Sequence, residues 1–114
     1  MNRDYENMII LKPDLDDQER EDVFDKLAKR IKDLNGEVLV SKIWAKERNF
    51  YYFLRSRGAE KKKYFKGCYW LLNFTLDVEK LPELKETIRL EEKILRNLIV
   101  SQKNKIKPVL TSQA

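Results

Sequence analysis

The chain contains no histidine and only one cysteine, Cys68, in 114 residues. The first absence removes the side chain that most often moves protons near neutral pH. Together the two counts exclude His-ligated zinc, a Cys–His nucleophile pair, structural zinc clusters and a disulfide within the chain. Apolar runs are short and none approaches the ~18 residues of a membrane span. The start, MNRDYENMIILK, lacks the apolar core and small-residue cleavage site of a secretory signal. These absences lead to the expectation of a soluble intracellular domain with no redox framework and no membrane partner. Charge, by contrast, is plentiful. Lys and Arg number 24 against 19 Asp and Glu, for a net +5 and a pI near 9.3. With 42% hydrophobic and 11% aromatic residues the chain has enough to bury one core, which argues against disorder.

The charge is unevenly placed. Residues 14–37 carry nine acids against five bases, and residues 67–92 net −3. Residues 55–66 hold Arg55, Arg57, Lys61, Lys62, Lys63 and Lys66 against Glu60, a surplus of +5 in twelve positions. Residues 93–114 add another +5. The two acidic segments alternate with basic ones.

Periodicity places elements on this map. Tyr5 to Leu11 is an apolar run with β-branched residues, stopped by Pro13, and reads as a strand. Asp16 with Glu19 forms a capping-box pattern, and Val23, Leu27, Ile31 and Leu34 follow on one helical face until Asn35-Gly36. Residues 38–54 have β character throughout. Arg55 to Lys66 reads as a charged hairpin loop. Gly67 to Asp77 is a strand whose even positions, Cys68, Trp70, Leu72, Phe74 and Leu76, form a core face. Leu81, Leu84 and Ile88 mark a second amphipathic helix with Pro82 in its first turn. Ile94 to Ser101 is a fourth strand, and residues 103–114 are expected to be a loose polar tail beyond a single domain of residues 1–102. The order β-α-β-β-α-β predicts an α+β, ferredoxin-like sandwich: a four-stranded antiparallel sheet with both helices on one face.

Such a fold leaves the other sheet face free. Ten of the twelve aromatic residues lie between Trp44 and Phe74. Trp44, Trp70 and Phe74 are expected in the core, whereas Tyr51, Tyr52, Tyr64 and Tyr69 are expected on the surface, able to stack on bases or meet a partner. A basic loop beside exposed aromatics suits RNA, although charged hairpin tips also serve as solubility devices and edge protection.

Several features occur in a familiar order: Tyr5-Glu6 opening the first strand, then Lys12-Pro13-Asp14-Leu15, Asn35-Gly36 after the first helix, and Trp44 in the second strand. A basic cluster and Tyr51 follow, then Lys66-Gly67-Cys68-Tyr69, and finally Ile94 to Val100 with Arg96. Across residues 3–102 the chain resembles the bacterial small-subunit ribosomal protein six family. It departs from that pattern at residues 45–52, where the usual glycine is Ala45, Leu-Ala is Asn49-Phe50, and proline is Tyr52. The resemblance implies a non-enzymatic, cytoplasmic component of the small ribosomal subunit, without cofactor or metal. It further implies binding to the central domain (platform) of 16S ribosomal RNA together with small-subunit protein eighteen, and a monomer when free. The residues expected to face phosphate are Arg3, Lys46, Arg48, Arg55, Arg57, Lys61, Lys62, Lys63 and Lys66. Candidate stacking or partner contacts are Tyr5, Tyr51, Tyr52, Tyr64 and Tyr69.

Two other readings compete. An RNA-recognition-motif domain shares the element order and would bind single-stranded RNA. Lys66-Gly67 and Trp70-Leu71 fit its third-strand signature, but Cys68, Tyr69 and Asn73 do not. An enzyme on the same scaffold would need a site, and the sequence has no glycine-rich phosphate loop and no nucleophile beside a base. Cys68 alternates with Trp70 and Leu72 and reads as a small buried residue.

Overall fold

The structure is a computed structural model and describes residues 1–56 and 61–101. Along the chain run β1 (Asn2–Leu11), α1 (Asp17–Asp33), β2 (Glu37–Arg55), β3 (Lys63–Asp77), a single 3-10 turn (Val78–Lys80), α2 (Leu81–Arg89) and β4 (Ile94–Ser101). The four strands form one antiparallel sheet in the order β2-β3-β1-β4. This is the expected ferredoxin-like sandwich.

Each helix forms for reasons visible locally. At the start of α1 the Glu19 N–H donates to Asp16 Oδ1 at 2.8 Å, and the Asp16 N–H donates to Glu19 Oε1 at 3.0 Å. Two otherwise orphaned donors are thereby satisfied. Asp17 and Glu19 sit at the positive end of the helix dipole and Arg30 and Lys32 at the negative end. Val23, Leu27 and Ile31 are fully buried against the sheet, each contributing roughly 1.5–3 kcal/mol. Leu84 and Ile88 do the same for α2, whose Pro82 occupies the first turn, where no backbone donor is lost. The opposing surface is the even face of β3, Cys68 to Leu76, together with Tyr5, Ile9 and Leu11 of β1.

The helix ends differently from the usual glycine stop. It is Asn35 that takes the left-handed conformation, at φ 66°, and not Gly36. Gly36 is required for space: a Cβ there would lie 2.5 Å from the Thr75 carbonyl oxygen and 2.8 Å from Leu76 Cδ1. The turn thus enters β2 tight against the end of β3.

Three expectations need correction. β1 starts at Asn2, because Asn2 to Asp4 continue the ladder opposite Asp77 to Thr75. Both ends of the charged stretch 55–66 are strand, since Leu54 pairs with Tyr64 and Arg55 with Lys63 and β3 runs on through Lys66, while residues 57–60 lie outside the described residues. Charge on the exposed side of a strand does not interrupt its ladder. Trp44 is 53% exposed, because it lies on the sheet face that no helix covers. The expected tail, residues 103–114, lies outside the described residues.

Candidate nucleic-acid interface

The uncovered face is built by the alternate residues of each strand. On the central strands it presents Met8, Ile10, Leu71 and Tyr69, and on β4 Arg96, Leu98 and Val100. Leu98 and Val100 are exposed, and Val40 of β2 adds to them, so this end of the face is apolar. Glu6 and Lys42 are among the charges on it.

Beyond Ala45, β2 and β3 leave the rest of the sheet as a two-stranded arm. Register irregularities between Ala45 and Arg48 and between Asn49 and Leu54 bend it. The arm crosses the open face so far that Arg96 Nη1 of β4 donates to the Arg55 carbonyl at 3.3 Å, although two strands lie between β4 and β2. Its far end is closed by a pair of bonds: the Ser56 N–H donates to the Lys62 carbonyl at 2.8 Å, and the Lys62 N–H donates to Ser56 Oγ at 2.9 Å. On the helix side it is anchored by Tyr64, which is buried with the Lys12 and Lys62 ammonium groups over its ring, and by Lys62 Nζ 3.7 Å from Asp14.

Between the arm and the sheet is a cleft of about 760 Å³. Trp44 packs edge-on to Tyr69 with ring centroids 5.8 Å apart, and Phe50 lies 6.3 Å from Tyr69. The Arg48 guanidinium sits 5.3 Å from the Trp44 ring centroid and 5.9 Å from that of Tyr69. Gly67 makes room for this arrangement, since a Cβ would stand 2.8 Å from Phe50 Cζ and 2.7 Å from Ile10 Cγ2. Further out, Phe53 and Phe65 meet edge-on, and Arg55 and Lys63 lie 5.4 and 4.7 Å from the Phe53 ring.

The expected phosphate-facing residues therefore separate into groups. Arg48, Arg55 and Lys63 accompany the aromatic rings of the open face. Lys61 and Lys62 sit at the arm's turn, Lys61 with φ 56°. Lys46 reaches toward the helix side, 3.9 Å from Asp17, and Lys66 is 3.3 Å from Glu47. Arg3 pairs in register with Leu76, at the end of the sheet opposite the arm. Arg57 lies outside the described residues.

Among the tyrosines, Tyr51 is fully exposed and Tyr52 is 82% exposed, as expected, and Tyr69 is half-buried in the cleft wall. Two expectations are overturned. Tyr5 is only 4% exposed, because it stands on the helix-covered face and stacks on Phe74 at 5.4 Å. Tyr64 is 6% exposed, because even positions of β3 point to the helix side even beyond the helices. Neither ring is free to stack on a base. Arg96 and Phe50 entered the sequence reading only through the family pattern and were not among the expected contact residues. The alternation of Arg96 with Leu98 and Val100 on one face was the available signal for the first.

Nothing in the core offers chemistry. Burial pushes the Cys68 thiol up, and the nearby charges of Arg20 and Lys46 oppose this only in part, so the thiolate needed for nucleophilic attack is disfavoured. Arg20 is itself buried, its Nη1 donating to the Leu15 carbonyl at 2.7 Å and its Nη2 to Asp17 Oδ1. Among the described residues no group of three or more His, Cys, Asp or Glu side chains could hold a metal ion. None of their helices is long and apolar enough to cross a membrane.

Comparison with known proteins matches this geometry to a family. A model of the family described as Ribosomal protein S6 matches residues 4–101. The chain is 33% identical over 100 residues to small ribosomal subunit protein bS6 of Desulforudis audaxviator, covering 88% of this chain and 98% of that protein. It is 30% identical over 97 residues to the protein of the same name from Dictyoglomus turgidum, covering 85% of this chain and 92% of the relative. The crystal structure of 30S ribosomal protein S6 from Thermotoga maritima superposes with a TM-score of 0.73 at 25% identity, over 90% of this chain and 89% of that one. The chain thus belongs to the ribosomal protein S6 family, non-enzymatic components of the small ribosomal subunit in the cytoplasm.

Proposed function

We propose that this chain binds the central domain of 16S ribosomal RNA, in the platform of the small subunit, together with small-subunit protein eighteen. The observation that carries this reading is the division of the open face. One part is a bent arm bearing Arg48, Arg55 and Lys63 among exposed rings, with Lys61 and Lys62 at its turn. The other is an apolar surface of Met8, Leu71, Leu98 and Val100. The arm suits phosphate: each cation that meets the backbone releases condensed counterions, so affinity falls with salt. The apolar surface suits a protein, because aliphatic side chains exclude water without offering stacking planes. The same point disfavours an RNA-recognition-motif reading. That mode stacks bases on the central strands, and here those strands present Met8, Ile10 and Leu71 with a single aromatic, Tyr69.

The test replaces Lys61, Lys62 and Lys63 with Ala together and titrates a central-domain RNA fragment with protein eighteen present. The fold is expected to survive, because all three side chains are exposed and the contacts that Lys62 gives up with Asp14 and Tyr64 lie at the surface, outside the core. The slope of log affinity against log salt is expected to shrink by about two to three, since each phosphate-facing lysine contributes about one. An unchanged slope assigns the arm's lysines to solubility. Absence of the protein from the small-subunit peak of a low-salt sucrose gradient overturns the reading as a whole.

A further inference from the structure

The cleft under the arm has a composition unlike the rest of the open face. Trp44, Phe50, Tyr51, Tyr52 and Tyr69 line it, and its charged residues are Arg48 and Arg96. Among the described residues that line it there is no acid. At about 760 Å³ it lies within the range of small-ligand sites and is large enough for one nucleotide. We propose that this cleft receives a single unpaired nucleotide extruded from an RNA helix, the base stacking on its aromatic wall and the flanking phosphate meeting Arg48 and Arg96. The inference rests on the reading of the chain as an RNA-binding protein and specifies which RNA feature the arm selects.

Three observations favour a nucleotide over a segment of protein. Planar rings stack on any base, and the exposed faces of Trp44, Tyr51 and Tyr52 already lie open. Two guanidiniums line the wall with no acid among the lining residues, and Arg presents a planar fork matched to phosphate. Asn49, also in the wall, carries both a donor and an acceptor for a base edge. The site is held open before binding. Arg96 ties the arm to β4 through the Arg55 carbonyl, Ser56 closes its far end, and the absence of a side chain at Gly67 lets Phe50 approach the sheet. A preformed cleft loses little freedom when it fills.

The experiment compares two RNA duplexes of identical sequence, one fully paired and one with a single unpaired adenosine at its centre. Both are titrated at about 0.15 M salt with protein eighteen present. The wild-type protein is expected to prefer the bulged duplex by roughly tenfold or more, the effect of one stacked base. A Trp44→Ser, Tyr52→Ser double variant is expected to lose this preference while keeping its salt slope, since it removes no charge. The Lys61, Lys62, Lys63 triple variant is expected to show the converse. Equal binding of both duplexes by the wild type, with a normal salt slope, overturns the cleft assignment and leaves the RNA-binding reading standing. Absence of salt-dependent binding to either duplex overturns both. If the double variant keeps the bulge preference and instead loses protein eighteen, the cleft is a protein site and the proposal fails.

Discussion

Asn7 is the residue that fits its surroundings least. It sits fully buried on the helix-covered side of β1, between Leu72 and Ile99 in register, and neither its Oδ1 nor its Nδ2 has a hydrogen-bond partner among the described residues. A buried amide left unsatisfied costs about 1–3 kcal/mol. Asn7→Leu, which keeps the branched outline with two methyl groups in place of the amide, is therefore expected to raise stability by about 1–2 kcal/mol, read as a higher urea midpoint at constant slope. A lower midpoint would show that the amide has a role the packing does not reveal. The sequence offered no warning, since Tyr5 to Leu11 reads as an apolar run with Asn7 as a minor interruption. Other residues were legible for a plain reason. Cys68, Trp70, Leu72, Phe74 and Leu76 alternate strictly, and all five are buried. Tyr64 was not, because its even position matters only once β3 is known to begin at Lys63. Trp44 was misplaced for a similar reason: hydrophobicity marks a ring for burial somewhere, and only the sheet's pairing shows which face a helix covers.

At the scale of elements, short-range chemistry was the most readable part of the chain. The capping box, the dipole-matched charges and the apolar stripe of α1 all lie within a few residues of one another, and all are present. Asp16→Ala is expected to destabilise the protein by about 1 kcal/mol, because it strands the Glu19 N–H at the helix start. Thermal unfolding monitored by circular dichroism checks this, and a variant as stable as the wild type would mean that water caps the helix equally well. The arm was harder to read. Its residues announce strand and charge, but its bend follows from register slips within β2 and from a bond to Arg96, some 41 residues away in sequence. The loss of ladder regularity between Asn49 and Leu54 leaves no trace in composition. Of the candidate site, Arg48, Tyr51, Tyr52 and Tyr69 were accordingly legible as side chains, while Trp44, Phe50, Arg96 and the cleft they form were not.

For the whole molecule, the missing histidine sets the response to pH. Among the described residues three carboxyls are held below their usual range. The Glu79 N–H at 3.0 Å and the N-terminal ammonium act on Asp77, and the Arg89 guanidinium acts on Glu86. At Glu91 partial burial works the other way but is outweighed by hydrogen bonds from Lys26 Nζ at 3.0 Å and the Lys93 N–H at 3.2 Å. A group that ionises more readily when folded stabilises the fold above the ordinary carboxylate range and loses that effect as pH falls through its folded value. Stability is thus expected to stay flat between about pH 7 and 5 and to decline below about 4.5. A urea midpoint that already fell between pH 7 and 5 would contradict this. The order β2-β3-β1-β4 has one more consequence, for synthesis. β1 is the first strand to be made, yet it occupies the interior of the sheet, between partners that end at Asp77 and Ser101. A growing chain therefore carries an unclosed ladder on β1 for most of its translation, and one edge of that strand stays open until Ser101 has emerged from the exit tunnel.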